Sequence, residues 1–178
     1  MQTVPYTNLQ VDEFGAAHYR NWRGEEKIDC GRRNKKGYMM LKVGSRKFYY
    51  VHRLVARVFV ENPAPSIFNV VHHKDHNRSN NAATNLEWTA IQLNNAQKVK
   101  MRLTKKTSTG FRVRFVFDNV IRNWFKIYET KDEAYQAGLV LKTVLINAKR
   151  EYLINCEKTG ETPEPKYCPT CGDSTTNI

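Results

Sequence analysis

The sequence predicts an α+β protein in which small antiparallel sheets are each paired with a helix. Three observations carry this. Apolar residues alternate with polar ones in short runs bounded by turn residues, as in GYMMLKVGSRKFYYV (37–51) and FRVRFVF (111–117), which is the period of strands with one buried face. Helical spacing takes over after each sheet segment, in VHRLVARVFV (51–60) and from Thr130 onward. The 178 residues are 40% hydrophobic, enough for one compact core or two small ones.

Taken in order, the first 36 residues, ending in CGRRNKK, have weak periodicity and are expected to be irregular with short strands. Residues 37–51 read as a hairpin around Val43-Gly44-Ser45-Arg46, with a basic tip. Val51, Leu54, Val55, Val58 and Phe59 then recur at helical spacing until Asn62-Pro63 stops the helix. Val70 and Val71 form a short strand, the polar stretch to Thr84 a loop, and Leu86 with Trp88 the next strand. Thr89 is the expected N-cap of a helix through Ile91, Leu93, Asn94 and Gln97.

A basic connector, KVKMRLTKKTSTG, leads to Phe111. There Phe111, Val113, Phe115 and Phe117 share one strand face and Arg112 and Arg114 the other. An Asp118-Asn119 turn returns the chain through VIRNWFKIY. Thr130 and Glu133 form a capping box, and Ala134, Ala137, Leu141, Leu145 and Ala148 mark the buried stripe of a long helix. This divides the chain into an N-terminal segment (1–36), a central domain (37–98), the connector (99–110), a sheet-and-helix domain (111–154) and a cysteine-containing tail (155–178).

Lysine plus arginine outnumber aspartate plus glutamate 29 to 17, a formal charge of +12. With aromatics interleaved among the basic residues, nucleic acid is the expected partner, a generally solvated basic surface being the alternative. No apolar run approaches the ~20 residues of a membrane span, and the N-terminus lacks a basic-then-apolar signal layout, so a soluble, cytoplasmic protein is expected. Four cysteines do not make a disulfide framework at this length.

The chemistry concentrates in VVHHKDHNRSNNAATNLEW (70–88). Metal-assisted phosphodiester cleavage needs a divalent cation, a base for water and rigid elements to hold both. His72 and His73 stand side by side at a strand end, so their side chains point to opposite sides and can take different roles. Asn94 and Gln97 share a face of the following helix. Taken singly, a histidine on a strand end is an ordinary surface or core residue, and Asp75, Asn77, Asn80 and Asn81 read as loop scaffolding.

The combination of VHRLVARVF (51–59), VVHHKDHNRSNN (70–81) and TNLEW (84–88), with Asn94 six positions beyond the tryptophan, resembles the HNH endonucleases. It is most similar to the intron-encoded and free-standing phage homing enzymes. The likeness covers roughly residues 37–98 and implies a ββα-metal nuclease unit, preceded here by the hairpin and helix. It implies His73 as the general base, Asn85 as the brace of the loop bearing that base, and His72 and Asn94 as ligands of magnesium or another divalent cation such as manganese. His72 stands where the family often has aspartate, and Gln97 where a histidine is common. His76 occupies a position that is often glycine, and His52 is expected to pack, with phosphate contact as the alternative.

Residues 110–138 are similar to the AP2-type DNA-binding domain, a small antiparallel sheet packed on one helix, through Trp124, Tyr128, Thr130, Glu133 and Ala134, although that family's first strand is not evident. The implied DNA contacts are Arg112, Arg114, Arg122 and Lys126 on an exposed sheet face. Arg46 and Lys47 at the hairpin tip and Lys98, Lys100, Arg102, Lys105 and Lys106 in the connector are expected on the phosphate backbone. The resemblance implies an endonuclease acting on double-stranded DNA by nicking or cutting both strands, as a monomer or a homodimer, in a phage-infected bacterial host. The alternative is a DNA-binding protein whose nuclease unit has decayed. In the tail, Cys156, Cys168 and Cys171 supply three ligands of a structural zinc site that needs four; Cys30 as the fourth, or a solvated tail, are both open.

Overall fold

The computed structural model describes residues 1–4, 9–21, 23–43, 47–97, 103–117 and 120–163. Their contacts divide the chain into two compact units, Met1–Pro63 with Phe68–Thr89, and Ala64–Ile67 with Ala90–Ile178.

In the first unit, four short strands, β1 (Gln2–Thr3), β2 (Gln10–Val11), β3 (Ala17–Arg20) and β4 (Glu26–Asp29), form an antiparallel meander in chain order. A second antiparallel sheet follows, from β5 (Arg32–Arg33), β6 (Met39–Val43) and β7 (Lys47–Tyr50), with Leu41 opposite Tyr49. The hairpin is where the alternation put it; its turn, Arg46 included, lies outside the described residues. Helix α1 (Val51–Phe59) starts directly after β7. It ends three residues ahead of Asn62-Pro63, because Val60 is already extended. Strands β8 (Val70–His73) and β9 (Leu86–Thr89) pair antiparallel and enclose the polar loop and a short 3₁₀ turn at Ala83–Asn85.

One core joins these pieces. Val4, Leu9, Val11 and Ala17 from the meander, Leu41 from the hairpin, Val51, Leu54, Val55 and Ala56 from α1, and Val71 and Leu86 from the strand pair bury together. Helix α1 is therefore held by tertiary burial rather than by capping, since no side chain caps its start. At its other end the indole Nε1 of Trp88 donates to the carbonyls of Ala56 (3.2 Å) and Val60 (3.1 Å). Ala56 O also accepts the last helical bond, from Val60 N (3.2 Å), while the Val60 carbonyl lies beyond it, among those a helix terminus leaves without intrahelical partners.

In the second unit, α2 (Ile91–Ala96) follows β9 in the chain. Its N-cap is Ala90, and Thr89 is instead a fully buried residue of β9. Strands β10 (Thr104–Lys106), β11 (Phe111–Phe117) and β12 (Val120–Tyr128) make an antiparallel sheet in that order, and α3 (Lys131–Thr159) packs on it. The connector thus contains an edge strand, with Lys105 opposite Arg112. Thr-Lys-Lys has no apolar alternation, so periodicity does not mark this strand.

The capping box forms as expected, Glu133 N donating to Thr130 Oγ1 (3.2 Å) and Thr130 N to the Glu133 carboxylate (3.4 Å). Helix α3 continues to Thr159, five residues beyond the expected end of the domain, and closes on Gly160 in the left-handed conformation. The buried stripe is rotated from expectation. Ala134 and Leu145 belong to it, but Gly138, Lys142, Ile146, Lys149, Leu153 and Cys156 complete it, while Ala137, Leu141 and Ala148 are only half-buried. Gly138 permits close approach, since a Cβ there would lie 3.1 Å from Leu103 and 3.3 Å from Val113. Lys142 and Lys149 bury long aliphatic stems, a use of lysine that hydrophobic periodicity does not see.

Replacing Trp88→Phe keeps an aromatic ring but removes the indole donor from the Ala56 and Val60 carbonyls. The variant should lose about 1–3 kcal/mol, read as a lower denaturation midpoint with unchanged denaturant slope.

Candidate functional site

The polar segment between β8 and β9 is held by its own hydrogen bonds. Asp75 is the centre: its carboxylate accepts from Asn77 N (2.7 Å), Asn80 Nδ2 (2.8 Å) and Asn85 Nδ2 (2.9 Å). Those bonds, Asn80's foremost, hold its pKa below the usual carboxylate value. Asn85 also donates to Asn80 O (2.9 Å), accepts from Asp75 N (3.1 Å) through its side chain, and accepts from Lys74 N (2.9 Å) through its carbonyl. One asparagine thus ties the start of the loop to its end. His76 sits at the tip with φ +59°, in the left-handed region that an ordinary side chain occupies only at a cost. That backbone angle is a physical reason for glycine to be common there.

His73 ends β8, opposite Leu86, and is 5% exposed. Its Nε2 lies 3.3 Å from Asn81 Oδ1. With the carboxamide oxygen accepting, the proton is on Nε2 and Nδ1 is left as the acceptor. Burial lowers the pKa of His73, against the hydrogen bond to Asn81 and the charge of Asp75, which raise it; Arg78 lowers it further. The imidazole is accordingly neutral at neutral pH, the form a base requires. His72 turns elsewhere: it is also buried, and its ring meets that of His76 edge to face at 5.2 Å.

Beside His73 stands an aromatic group that the sequence did not assemble. The His52 ring lies 5.1 Å from the His73 ring and 5.1 Å from Tyr38, with Tyr50 5.5 Å away, and Tyr38 lies 6.1 Å from His73. His52 is 6% exposed, and its Nδ1 has no hydrogen-bond partner among the described residues. Its burial among these rings fits the expected packing. Burial, with smaller contributions from His73 and Arg53, pushes its pKa down to about 3. Arg78 is exposed and stacks over Tyr38, Cζ 4.8 Å from the ring centroid, while its Nη1 donates to Lys36 O (2.7 Å). Asn81, Tyr38 and Arg78 all gain their place through the fold, and no spacing rule marks them.

His72, His73 and Asn85 fall in the first unit, whereas Asn94, half-buried on α2, falls in the second. Among the described residues no three His, Cys, Asp or Glu side chains gather as a metal site. Cys156 is buried in the stripe of α3, Cys30 is exposed, and Cys168 and Cys171 lie outside the described residues.

On the second unit's sheet, register separates the basic residues. Lys105, Arg112 and Arg114 share one face, together with Ile127 and Asn123 opposite the two arginines. Arg122 does not join them: it pairs with Phe115 on the inner face and is 8% exposed. The register shifts between Arg112 and Arg114; Lys126 lies in that irregular stretch of β12, exposed, with its ammonium over Tyr128 at 5.3 Å. Phe125, Ile127, Val116 and Ile121 are exposed apolar residues of the same two strands. Lys47 is exposed on β7, and Lys105 and Lys106 are exposed on β10; Lys98, Lys100 and Arg102 lie outside the described residues.

With this geometry in place, the likeness to known proteins is specific. The chain is 47% identical over 76 residues to an uncharacterised HNH endonuclease of Acanthamoeba polyphaga mimivirus, covering 35% of this chain and 22% of that protein. It is 44% identical over 55 residues to the DNA endonuclease I-HmuI of Bacillus phage SP01, covering 31% of this chain and 30% of that one. A solved structure of DNA binding and cleavage by the HNH homing endonuclease I-HmuI aligns with 49% of each chain at 36% identity and a TM-score of 0.40. No protein-family model matches the chain. The chain thus spans less than half the length of these relatives, which are named HNH endonucleases. No described helix is long and apolar enough to cross a membrane.

The buried neutral His52 makes stability depend on pH. An unfolded histidine protonates near pH 6.5, so between about pH 6.5 and about 3 the unfolded chain holds more protons than the folded one. Stability therefore falls as pH drops through that window and is fully present above it, by roughly 2 kcal/mol at pH 5 from this residue alone. Denaturation at pH 7.5 and pH 5 should show that loss, and His52→Gln should show a smaller one.

Proposed function

We propose that this chain is a divalent-metal-dependent DNA endonuclease of the HNH homing type, hydrolysing phosphodiester bonds of double-stranded DNA and cutting one strand or both. The observation that carries the reading is His73, a buried neutral imidazole fixed through Nε2 by Asn81 on a loop braced by Asp75 and Asn85. The named relatives support the same class. In this reading Nδ1 of His73 takes a proton from a water whose oxygen attacks phosphorus. The bond from phosphorus to the leaving sugar oxygen breaks, and solvent returns a proton to that oxygen. Asn81 holds the imidazole's tautomer and direction, and Asn85 holds the loop.

The resemblance assigns a magnesium or manganese ion to His72 and Asn94. An imidazole nitrogen and an amide oxygen are a neutral pair suited to a cation that completes its sphere with water and phosphate oxygens. Bound there, the cation would supply charge neutralisation at the scissile phosphate and leaving oxygen. The AP2-like sheet would lie against the duplex through Lys105, Arg112 and Arg114, with Lys126 at its margin and Arg46 and Lys47 of the hairpin on the phosphate backbone. Arg122, being inward, serves the fold.

Supercoiled DNA incubated with the protein and magnesium or manganese should give open-circle or linear product, suppressed by EDTA. No product with either metal would overturn the reading. His73→Ala should slow single-turnover cleavage by ~10²- to 10⁴-fold with duplex binding nearly unchanged; cleavage at the wild-type rate would remove His73 as the base.

The double variant Arg112→Ala with Arg114→Ala should weaken duplex binding and reduce the salt dependence of affinity by about one unit per lost phosphate contact. A kept slope with relaxed sequence preference would instead assign these arginines to base edges.

A further inference from the structure

Arg78 is a cation with no evident role in holding charge balance inside the protein. Among the described residues no acidic side chain forms an ion pair with it, and it is exposed on the loop that follows His73. It is nevertheless held at two points. The ring of Tyr38 lies under its guanidinium at 4.8 Å, and the carbonyl of Lys36 accepts from Nη1 at 2.7 Å. Ser79 Oγ adds a bond from the next residue to Gly37 O (3.3 Å). A surface arginine ordinarily loses side-chain entropy when fixed, and here stacking and a carbonyl bond offset that cost.

The position it is fixed in matters. Tyr38 is the shared floor: its ring meets Arg78 on the one hand and the His52 and His73 rings on the other, at 5.1 and 6.1 Å. A guanidinium has five N–H donors in a planar fork, and the Lys36 carbonyl engages one nitrogen. Planar donors held on the same Tyr38 ring that packs near His73 match two non-bridging phosphate oxygens, which gain charge as water adds to phosphorus. The sequence position itself, in the middle of a polar loop, gives no such signal.

We propose that Arg78, presented on Tyr38, is a substrate-contacting residue that binds the non-bridging oxygens of the phosphodiester attacked by the water of His73. This rests on the nuclease reading above for its catalytic half and on phosphate binding for the other, and the two are separable. The probe is a short DNA duplex without divalent metal, titrated over salt concentration, and supercoiled DNA with magnesium or manganese, for the full chain and for Arg78→Gln and Arg78→Lys.

Arg78→Gln should lower the salt slope of duplex binding by about one unit and slow single-turnover nicking by ~10²- to 10³-fold, the range for loss of one charge-stabilising donor. Arg78→Lys should keep the slope, since it keeps the charge, and still nick at least ~10-fold more slowly for want of the fork. Wild-type nicking by Arg78→Gln with an unchanged slope overturns the proposal. If Arg78→Gln fails to fold by thermal denaturation, Arg78→Lys decides: nicking at the wild-type rate overturns it. If the unaltered protein binds duplex without nicking, the nuclease reading fails, and the slope alone judges Arg78, a reduction supporting phosphate contact and no change overturning it.

Discussion

A long polar loop set between two four-residue strands has little apolar surface to bury beyond Ala83, so its shape comes mainly from hydrogen bonds. Asp75 and Asn85 supply them. The carboxylate collects three donors from within the loop, and Asn85 returns bonds to both Asp75 and Asn80. Partners this close in the chain cost little entropy to bring together once Val71 and Leu86 have seated the strands in the core. Everything placed on the loop inherits that constraint: Asn81 against His73, the left-handed turn at His76, and Arg78 above Tyr38.

Electrostatics in this region divide by depth. At the surface, Asp75 is stabilised as an anion by donors. Beneath it, His73 and His52 are neutral because burial penalises their charged forms. A carboxylate that must stay charged and an imidazole that must stay neutral are thus only two residues apart in sequence, separated by exposure to solvent. The Coulombic pull of Asp75 on His73 opposes burial without outweighing it.

Much of the local structure was legible. The hairpin, α1, the strands around the loop and the capping box at Thr130 follow from periodicity and caps, and the structure has them. Three kinds of feature were not. Edge strand β10 is Thr-Lys-Lys, defined by pairing with β11 rather than by its own pattern. The AP2-type resemblance implies an outward Arg122 beside Arg112 and Arg114, but it pairs with Phe115, and only the register between two strands decides that. Lys142 and Lys149 carry charged heads on stems long enough to serve a buried stripe, so hydropathy assigns the stripe to their neighbours. At the site, His73 and Asn85 stand out through motif spacing, whereas Tyr38, His52 and Asn81 meet His73 only after the chain has folded.

The bonds from Arg78 to Lys36 and from Ser79 to Gly37 each span 42 positions of sequence. In kinetic terms they are late contacts. Helix α1 and the β6–β7 hairpin are local and can form early, as can the β8–β9 pair once its loop has closed. Docking Arg78 onto the turn at Lys36 requires both halves to be present, so on a chain made from its N-terminus the arrangement around Tyr38 waits until the segment through Trp88 has been synthesised. The order of synthesis therefore delays assembly of the ring cluster around Tyr38 until the strands that shelter His73 exist.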